Sequence, residues 1–477
     1  MNRAMRAAAT GLLPPLDPMD ATPLYRQVGD RFRHAIASGR LKPGDRVPAA
    51  RALAAELGLA RGTIESAYAS LVAEGYFETR GQAGTVVAPG LKLATATPAP
   101  PPRVVDAFPT DFRPDSILPL QMGLPALDAF PRKIWARLGA RCVRAMQPAQ
   151  MVHPPVPGLP ALRDAIATYL QVSRGIDCRP AQVIITSGYR QSLALIAHAV
   201  LTAGDRVWTE DPGYPPTREL LRDMGITTVP VRVDGEGMVV DEGVAKAPGA
   251  RAAVITPGHQ SPLCVSLALS RRLALLAWAT RHEAWIVEDD YDGEYRYASR
   301  PLPSLKSLDR DDRVIYAGTF SKVLLPGLRL AYLVVPESQV PRFGHVASVY
   351  SGASPWLTQA IVSAFVAEGH FARHIQRMRR LYAERRATTI AAFADVLGER
   401  VSIDTPPGGM HVILRLPSAP GSDRALVARL RAAGLYAEAM SDWTHDGDGA
   451  AAILVGFTNV ASAAEARALA HRVRDLL

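Results

Sequence analysis

A chain of 477 residues exceeds what one ordinary hydrophobic core accommodates, so two or three domains are expected. Hydrophobic content of 48% with 21% charged residues excludes a disordered chain. The formal net charge is +9, yet residues 1–88 carry 11 Lys and Arg against 8 Asp and Glu, so charge permits a polyanionic partner without arguing for one. The apolar stretch 193–201 is broken by His198 and too short to span a bilayer, and no membrane partner is expected. Residues 1–16 lack the sustained apolar core and cleavage site of a signal peptide. Cys142, Cys178 and Cys264 are odd in number and far apart, which excludes a disulfide framework and the usual zinc spacings. That usage suits a cytoplasmic protein without a structural metal.

In chain order, residues 24–38 read as an amphipathic helix, with Leu24, Val28, Phe32 and Ile36 on one face. A short helix over 49–57 stops at Gly58, and a tight turn leads into a third helix over 61–74. Two short helices joined by such a turn form a helix-turn-helix. Ile64, Tyr68 and Leu71 face inward, leaving Arg61, Gly62, Thr63 and Ser66 free near the N-terminus, where a recognition helix meets base edges. The stretches 76–79 and 85–87 alternate around Arg80-Gly81-Gln82-Ala83-Gly84, a β-hairpin with a Gly-rich tip. The run PLYRQVGDRFRHAIASGRLKPGDRVPAARALAAELGLARGTIESAYASLVAEGYFETRGQAGTVVA resembles the GntR-type winged helix-turn-helix over its whole length. The resemblance implies a DNA-binding domain over 22–88, with a double-stranded operator contacted by Arg51, Arg61, Thr63 and Gly84. Glu65 departs from members that carry Arg there. A carboxylate is repelled by phosphate, so Glu65 either points away or accepts from a cytosine amino group.

A Pro- and Ala-rich linker over 89–116 follows, with no apolar periodicity. Beyond it, strands are expected over 182–186, 206–210, 252–256, 284–288, 313–317 and 330–335, alternating with helices such as 192–203, 216–224 and 270–282. That alternation implies an α/β domain over 117–477 built on a mostly parallel sheet. Gly318-Thr319-Phe320-Ser321-Lys322 follows one strand, Arg329 comes seven residues after the lysine, and Asp289 ends another strand. A buried lysine of depressed pKa captures an aldehyde as a Schiff base. Pyridoxal 5'-phosphate further needs a carboxylate at its ring nitrogen, which Asp289 supplies, and a donor to its ring hydroxyl, which Tyr291 supplies. Its phosphate needs cations and donors: Arg329, the Thr319 and Ser321 hydroxyls, and the N–H groups of Ser187-Gly188-Tyr189 ahead of a helix. Each feature alone reads as a solvated loop. Their order, each at a strand's C-terminal end, is the informative part.

These motifs resemble the fold-type I aminotransferases from about Ile117 to Leu477. The resemblance implies Lys322 as the catalytic Schiff-base lysine, Asp289 and Tyr291 at the ring, and Tyr214 stacked on it. It also places Ser187, Gly188, Tyr189, Thr319 and Arg329 at the phosphate. With the N-terminal block included, the whole chain resembles the MocR/GabR subfamily of GntR-type regulators, through GLPALDAFPRKIW, VPGLPALRDAIATYLQVSRG and ITPGHQSP. That implies a head-to-tail homodimer. Three departures bear on activity. Leu454 in Ile453-Leu454-Val455-Gly456-Phe457 stands where aminotransferases carry the arginine that binds the substrate carboxylate. Ser261 in Ser261-Pro262-Leu263-Cys264 replaces an amide that normally meets the ring, and His153 stands near a position where a partner-subunit tyrosine is common. Two readings follow: a regulator sensing the cofactor or a small amine or amino-acid effector, with weak or no transaminase activity, and a working aminotransferase with an accessory winged helix. Leu454 favours the first.

Overall fold

A computed structural model of the chain describes residues 16, 20, 22–81, 84–91, 117–297, 303–405, 408–417, 421–447 and 449–477. Most of the expected linker, 92–116, and two residues of the wing tip, Gln82 and Ala83, lie outside these. The chain divides into two compact units, 1–113 and 114–477.

The first unit contains helices α1 (Leu24–Ala37), α2 (Ala50–Leu57) and α3 (Arg61–Ala73), then an antiparallel ribbon of β1 (Phe77–Thr79) and β2 (Thr85–Val87). Val28, Phe32 and Ile36 are buried, as the spacing predicts, against Leu53, Ile64, Tyr68 and Leu71, whereas Leu24, placed on the same face by that spacing, is exposed at the first turn of α1. Phe32, Tyr68 and Phe77 pack edge to face at 5.3–5.6 Å, the arrangement that ring quadrupoles favour. Gly58 ends α2 in the left-handed region (φ 66°), which a side chain would strain, and so sets the turn into α3.

The second unit opens with α4 (Arg132–Ala145) and α5 (Pro160–Arg174). It continues through β3 (Val183–Thr186), α6 (Tyr189–Val200), β4 (Arg206–Asp211), α7 (Pro215–Asp223), β5 (Thr227–Asp234) and β6 (Gly237–Met238). Then come α8 (Val240–Lys246), β7 (Ala252–Ile255), α9 (Leu269–Arg281), β8 (Trp285–Asp290), β9 (Val314–Thr319) and β10 (Ala331–Val334). The eight strands lie in the order β3-β10-β9-β8-β7-β4-β5-β6. Strands β5, β4, β7, β8 and β9 pair in parallel, whereas β10 runs antiparallel to both neighbours. Successive residues bury on opposite faces: Val183 and Ile185 join one core, and Ile184 the other. Helix α6 begins at Tyr189, earlier than the apolar pattern suggests, because its first turn faces the site rather than the core.

After α10 (Val340–Tyr350), α11 (Trp356–Ala367) and the long α12 (His370–Leu397), the chain builds a second sheet absent from the sequence expectations. Its strands β11 (Ser402–Asp404), β12 (His411–Arg415), β13 (Glu438–Ala439) and β14 (Ala452–Gly456) are antiparallel in the order β11-β12-β14-β13, with α13 (Asp423–Ala432) and α14 (Ala463–Arg474) alongside. The segment after residue 117 is stitched to this sheet, since Tyr436 donates to the Pro119 carbonyl at 2.9 Å and Gly456 to that of Leu120 at 2.8 Å.

Two buried contacts set the sheet edge that carries the site. Arg174, at the end of α5, donates to Asp290 at 2.6 Å and pairs with Glu294 at 3.0 Å. The Tyr316 and Tyr169 hydroxyls donate to the same two carboxylates at 2.6 and 2.7 Å. Behind Lys322, His374 of α12 holds the Val323 carbonyl at 3.0 Å, and burial depresses its pKa to about 4, against that hydrogen bond. The imidazole is therefore neutral in the folded chain, and as pH falls from 6.5 toward 4 the unfolded chain takes the proton first, so stability is lost over that window.

Replacing Arg174 by Met is expected to cost about 3–5 kcal/mol of unfolding free energy in urea, because Asp290 and Glu294 stay buried without their cation. His374→Gln retains a donor to Val323 but does not titrate. The stability of the wild type relative to this variant should drop by about 3 kcal/mol between pH 7 and pH 4, and an unchanged difference would refute the buried neutral imidazole.

Candidate functional site

At the C-terminal edge of the parallel strands, a cavity of about 280 Å³ brings together Gly188, Tyr189, Tyr214, Ser261, Asp289, Tyr291, Thr319, Ser321, Lys322 and Arg329. Of the cofactor residues expected from sequence, only Ser187 lies outside this lining, and its N–H donates to Gln191 Oε1 at 2.5 Å. These residues come from separate strand ends, which is how an open α/β sheet assembles a ligand site.

Lys322 follows β9, and its Nζ donates to the Gly123 carbonyl at 2.9 Å. Burial lowers its pKa from the ordinary lysine value, against the pull of Asp292, Glu438 and Asp289. An amine so held gives up its proton more readily and becomes a nucleophile. Gly123 has φ 76°, and a Cβ there would stand 2.5 Å from the lysine nitrogen, so the close approach requires glycine.

Strand alternation sends Glu288 and Asp290 to one face of β8 and Asp289 to the other, into the cavity. Among the described residues no hydrogen bond reaches the Asp289 carboxylate. Burial, then Asp290, Glu210 and Asp292, hold its pKa well above the carboxylate range, with Lys322 opposing. An acid in this position has no hydrogen-bonded cation among the described residues, and a protonated ring nitrogen has the right chemistry to be one.

At the opposite end, Gly188 caps α6 and leaves the helix's first N–H groups facing the cavity. A Cβ on Gly188 would lie 3.4 Å from the Arg329 guanidinium, so a side chain there would fill the cradle. Arg329 sits in the left-handed region (φ 48°), a backbone cost of about 1–3 kcal/mol kept at a position lining the cavity. Together with the Thr319 and Ser321 hydroxyls this end matches the demands of a phosphate. Tyr214 also lines the cavity, its ring 5.7 Å from those of Tyr189 and Trp443.

Sequence reasoning missed a hydrogen-bonded chain beside Tyr291. His259 Nδ1 lies 3.0 Å from the Tyr291 hydroxyl and 2.9 Å from Asp292. Burial works against a charged imidazole there, but Asp292 and Cys264 outweigh it and hold its pKa well above the ordinary value. His411, from β12, lines the cavity and lies 3.3 Å from the buried Cys264 thiol. His259 stands inside the ITPGHQSP run and Asp292 follows the Asp289-Asp290-Tyr291 run, so both were in view as motif neighbours. Nothing in the sequence marked His411, Trp443 or Glu438. Among the described residues there is no group of His, Cys, Asp and Glu able to hold a metal ion, and no helix long and apolar enough to cross a membrane.

In the first unit, Arg51 and Arg61 are exposed on α2 and α3, and Thr63 and Gly84 are half-buried. Arg61 Nε donates to Glu65 Oε1 at 2.7 Å across one helical turn. Glu65 therefore partners the arginine instead of facing outward alone. Gly84 (φ 84°) directly precedes β2 beside Arg46, whose guanidinium would lie 3.5 Å from a Cβ there.

Residues 121–449 match the family described as aminotransferase class I and II, and residues 24–87 match the bacterial regulatory proteins of the gntR family. The probable rhizopine catabolism regulatory protein MocR of Rhizobium meliloti is 37% identical, over 83% of this chain and 82% of its own. The pyridoxine biosynthesis transcriptional regulator PdxR of Corynebacterium glutamicum is 34% identical, over 84% of each. The crystal structure of LysN, the α-aminoadipate aminotransferase of Thermus thermophilus, complexed with N-(5'-phosphopyridoxyl)-L-leucine, superposes with a TM-score of 0.69 at 28% identity. It covers 76% of this chain and 92% of that one. A winged helix of gntR type joined to an aminotransferase domain, with whole-length relatives among the HTH-type regulators, means that the chain belongs to the MocR-type family of transcription regulators.

Proposed function

We propose that the protein is a pyridoxal-phosphate-dependent, DNA-binding transcription regulator whose aminotransferase-like domain senses the cofactor or a small amine bound beside it. The observation that carries this reading is the part-buried Lys322 amine, which shares one cavity with Asp289, an acid without a hydrogen-bonded partner among the described residues, and with an anion cradle made by α6 and Arg329. When bound, the cofactor supplies an aldehyde carbon and an electron-withdrawing ring. The chain's own residues do the rest. Lys322 offers the nitrogen that holds the aldehyde, and Asp289 keeps a proton on the ring nitrogen. Tyr291, oriented by His259 and Asp292, donates to the ring hydroxyl, and Ser261 lines the same wall. Tyr214 covers a ring face, while Arg329, Thr319, Ser321 and the Gly188 and Tyr189 N–H groups hold the phosphate. Ser187 contributes as the residue that sets the loop through its bond to Gln191.

Regulation is favoured over turnover by Leu454, which is fully buried in β14 and offers no guanidinium to a substrate carboxylate. Losing that charge-assisted clamp removes about 1.5–3 kcal/mol of binding. DNA is contacted through α3, with Arg61 and Thr63 at its start, Arg51 on α2 and Gly84 at the wing. A head-to-tail homodimer would present two such helices to an operator, and Met151 and Val152, both about two-thirds exposed, offer apolar surface for a partner. An effector changes regulation only by binding one dimer arrangement more tightly than another. The three free thiols suit action in the reducing cytoplasm.

Lys322→Ala should abolish the visible absorbance of the purified protein incubated with pyridoxal phosphate, and borohydride should no longer fix the cofactor's mass to the chain. Basal DNA binding should persist. A wild-type protein that stays colourless with excess vitamer contradicts the reading. Arg61→Ala should weaken binding to a fragment selected by the wild type from random DNA by about 1–3 kcal/mol. Equal affinity of variant and wild type at two salt concentrations would remove Arg61 from the interface.

A further inference from the structure

Behind Met122 and Trp443 of the cavity lining, where the family's arginine would stand, the small sheet is apolar and then acidic. Leu454 is fully buried, packed with Ile413, Met440 and Trp443 against Met122. In the small sheet Leu454 pairs with Glu438 on one side and with Ile413 on the other, and directly opposed residues of antiparallel strands share a face. Glu438 is half-exposed on that face. Its two oxygens accept from the Tyr436 hydroxyl at 2.6 Å and from Trp443 Nε1 at 3.1 Å, and Trp443 lines the cavity beside Tyr214. Each carboxylate oxygen keeps further acceptor capacity after these bonds. The field of Glu438 reaches Lys322, where it ranks ahead of that of Asp289 in favouring the charged amine, although burial prevails.

Two cations of the cavity belong to its α6 end. Arg329 stands at Gly188, and Arg190 reaches Glu219 at 3.8 Å. His411 is held by the Pro262 carbonyl at 2.9 Å and the Cys264 thiol. A ligand whose amine addresses Lys322 therefore has its far end in the field of a carboxylate that stands behind Trp443. A carboxylate on the ligand meets repulsion there, and an ammonium meets attraction from Glu438 and from the negative faces of Trp443 and Tyr214.

We infer that the effector of this site is a cationic amine lacking a carboxylate, of the aliphatic diamine class, selected through Glu438. The inference rests on the cofactor reading above. Its test compares ligands matched in length, 1,4-diaminobutane with 4-aminobutanoate and 1,5-diaminopentane with 5-aminopentanoate, titrated into the full-length, cofactor-loaded protein. The change in visible absorbance and the shift in thermal midpoint are both recorded. Half-saturation should come at least ten-fold lower for each diamine than for its amino acid, and Glu438→Gln should shrink the ratio below three-fold. Equal or better response to the amino acids, no response to either ligand, or a ratio untouched in a folded Glu438→Gln protein overturns the inference. The wild-type comparison decides by itself if the variant does not fold. A wild type without any cofactor band refutes the underlying reading instead, whereas a band with no diamine preference refutes only the effector class.

Discussion

Three consecutive carboxylates, Glu288, Asp289 and Asp290, end strand β8, and the placement of the site depends on how each burial is compensated. Burying a charge without a partner costs several kcal/mol, so each acid needs its own solution. Glu288 accepts the Leu305 and Lys306 N–H groups at 2.7 Å each, and burial followed by Asp290 raises its pKa to about 7. Asp290 is neutralised by Arg174 and bonded by Tyr316. Asp289, on the opposite face, has only Lys322 opposing the burden of its neighbours. Two of the acids are structural and fix the strand end. The third faces the cavity with no hydrogen-bonded partner among the described residues.

Much of this was legible in the sequence, and the reason is spacing. Alternating strands and helices across 182–335 specify a parallel sheet, and a parallel sheet delivers the ends of β3, β8 and β9 to one edge. Lys322, Asp289 and Arg329 could therefore be assembled from positions in the chain alone. The small sheet was not legible. Its strands β11 and β13 have three and two residues, and their order joins segments separated by helices, so no local periodicity announces them. Glu438 and Trp443 derive their place from that sheet and carry no motif. His259 and Asp292 lay within reach of known motifs, but their hydrogen bond across 33 positions exists only once β7 and β8 pair.

The winged helix shows the same division. Apart from Leu24, the buried faces of α1 and α3 follow from three- and four-residue spacing, and the aromatic triad of Phe32, Tyr68 and Phe77 closes them. What sequence left open was the orientation of Glu65. Its bond to Arg61 means the arginine enters any DNA contact already partnered, and its Nη groups remain the donors that phosphate or guanine could accept. An exposed pair of this kind contributes little to folding. Its effect falls on how the guanidinium is presented.

The contact of Lys322 with Gly123 spans 199 positions and leaves no room for a methyl group at the glycine. Tolerance to mutation at position 123 is thus dictated by an amine far away in the chain. Alanine there would push the nitrogen aside without unpairing any strand, because Gly123 belongs to none. Variants that keep a sound fold and an intact winged helix yet no longer answer to their small molecule would be expected to accumulate at this inconspicuous glycine.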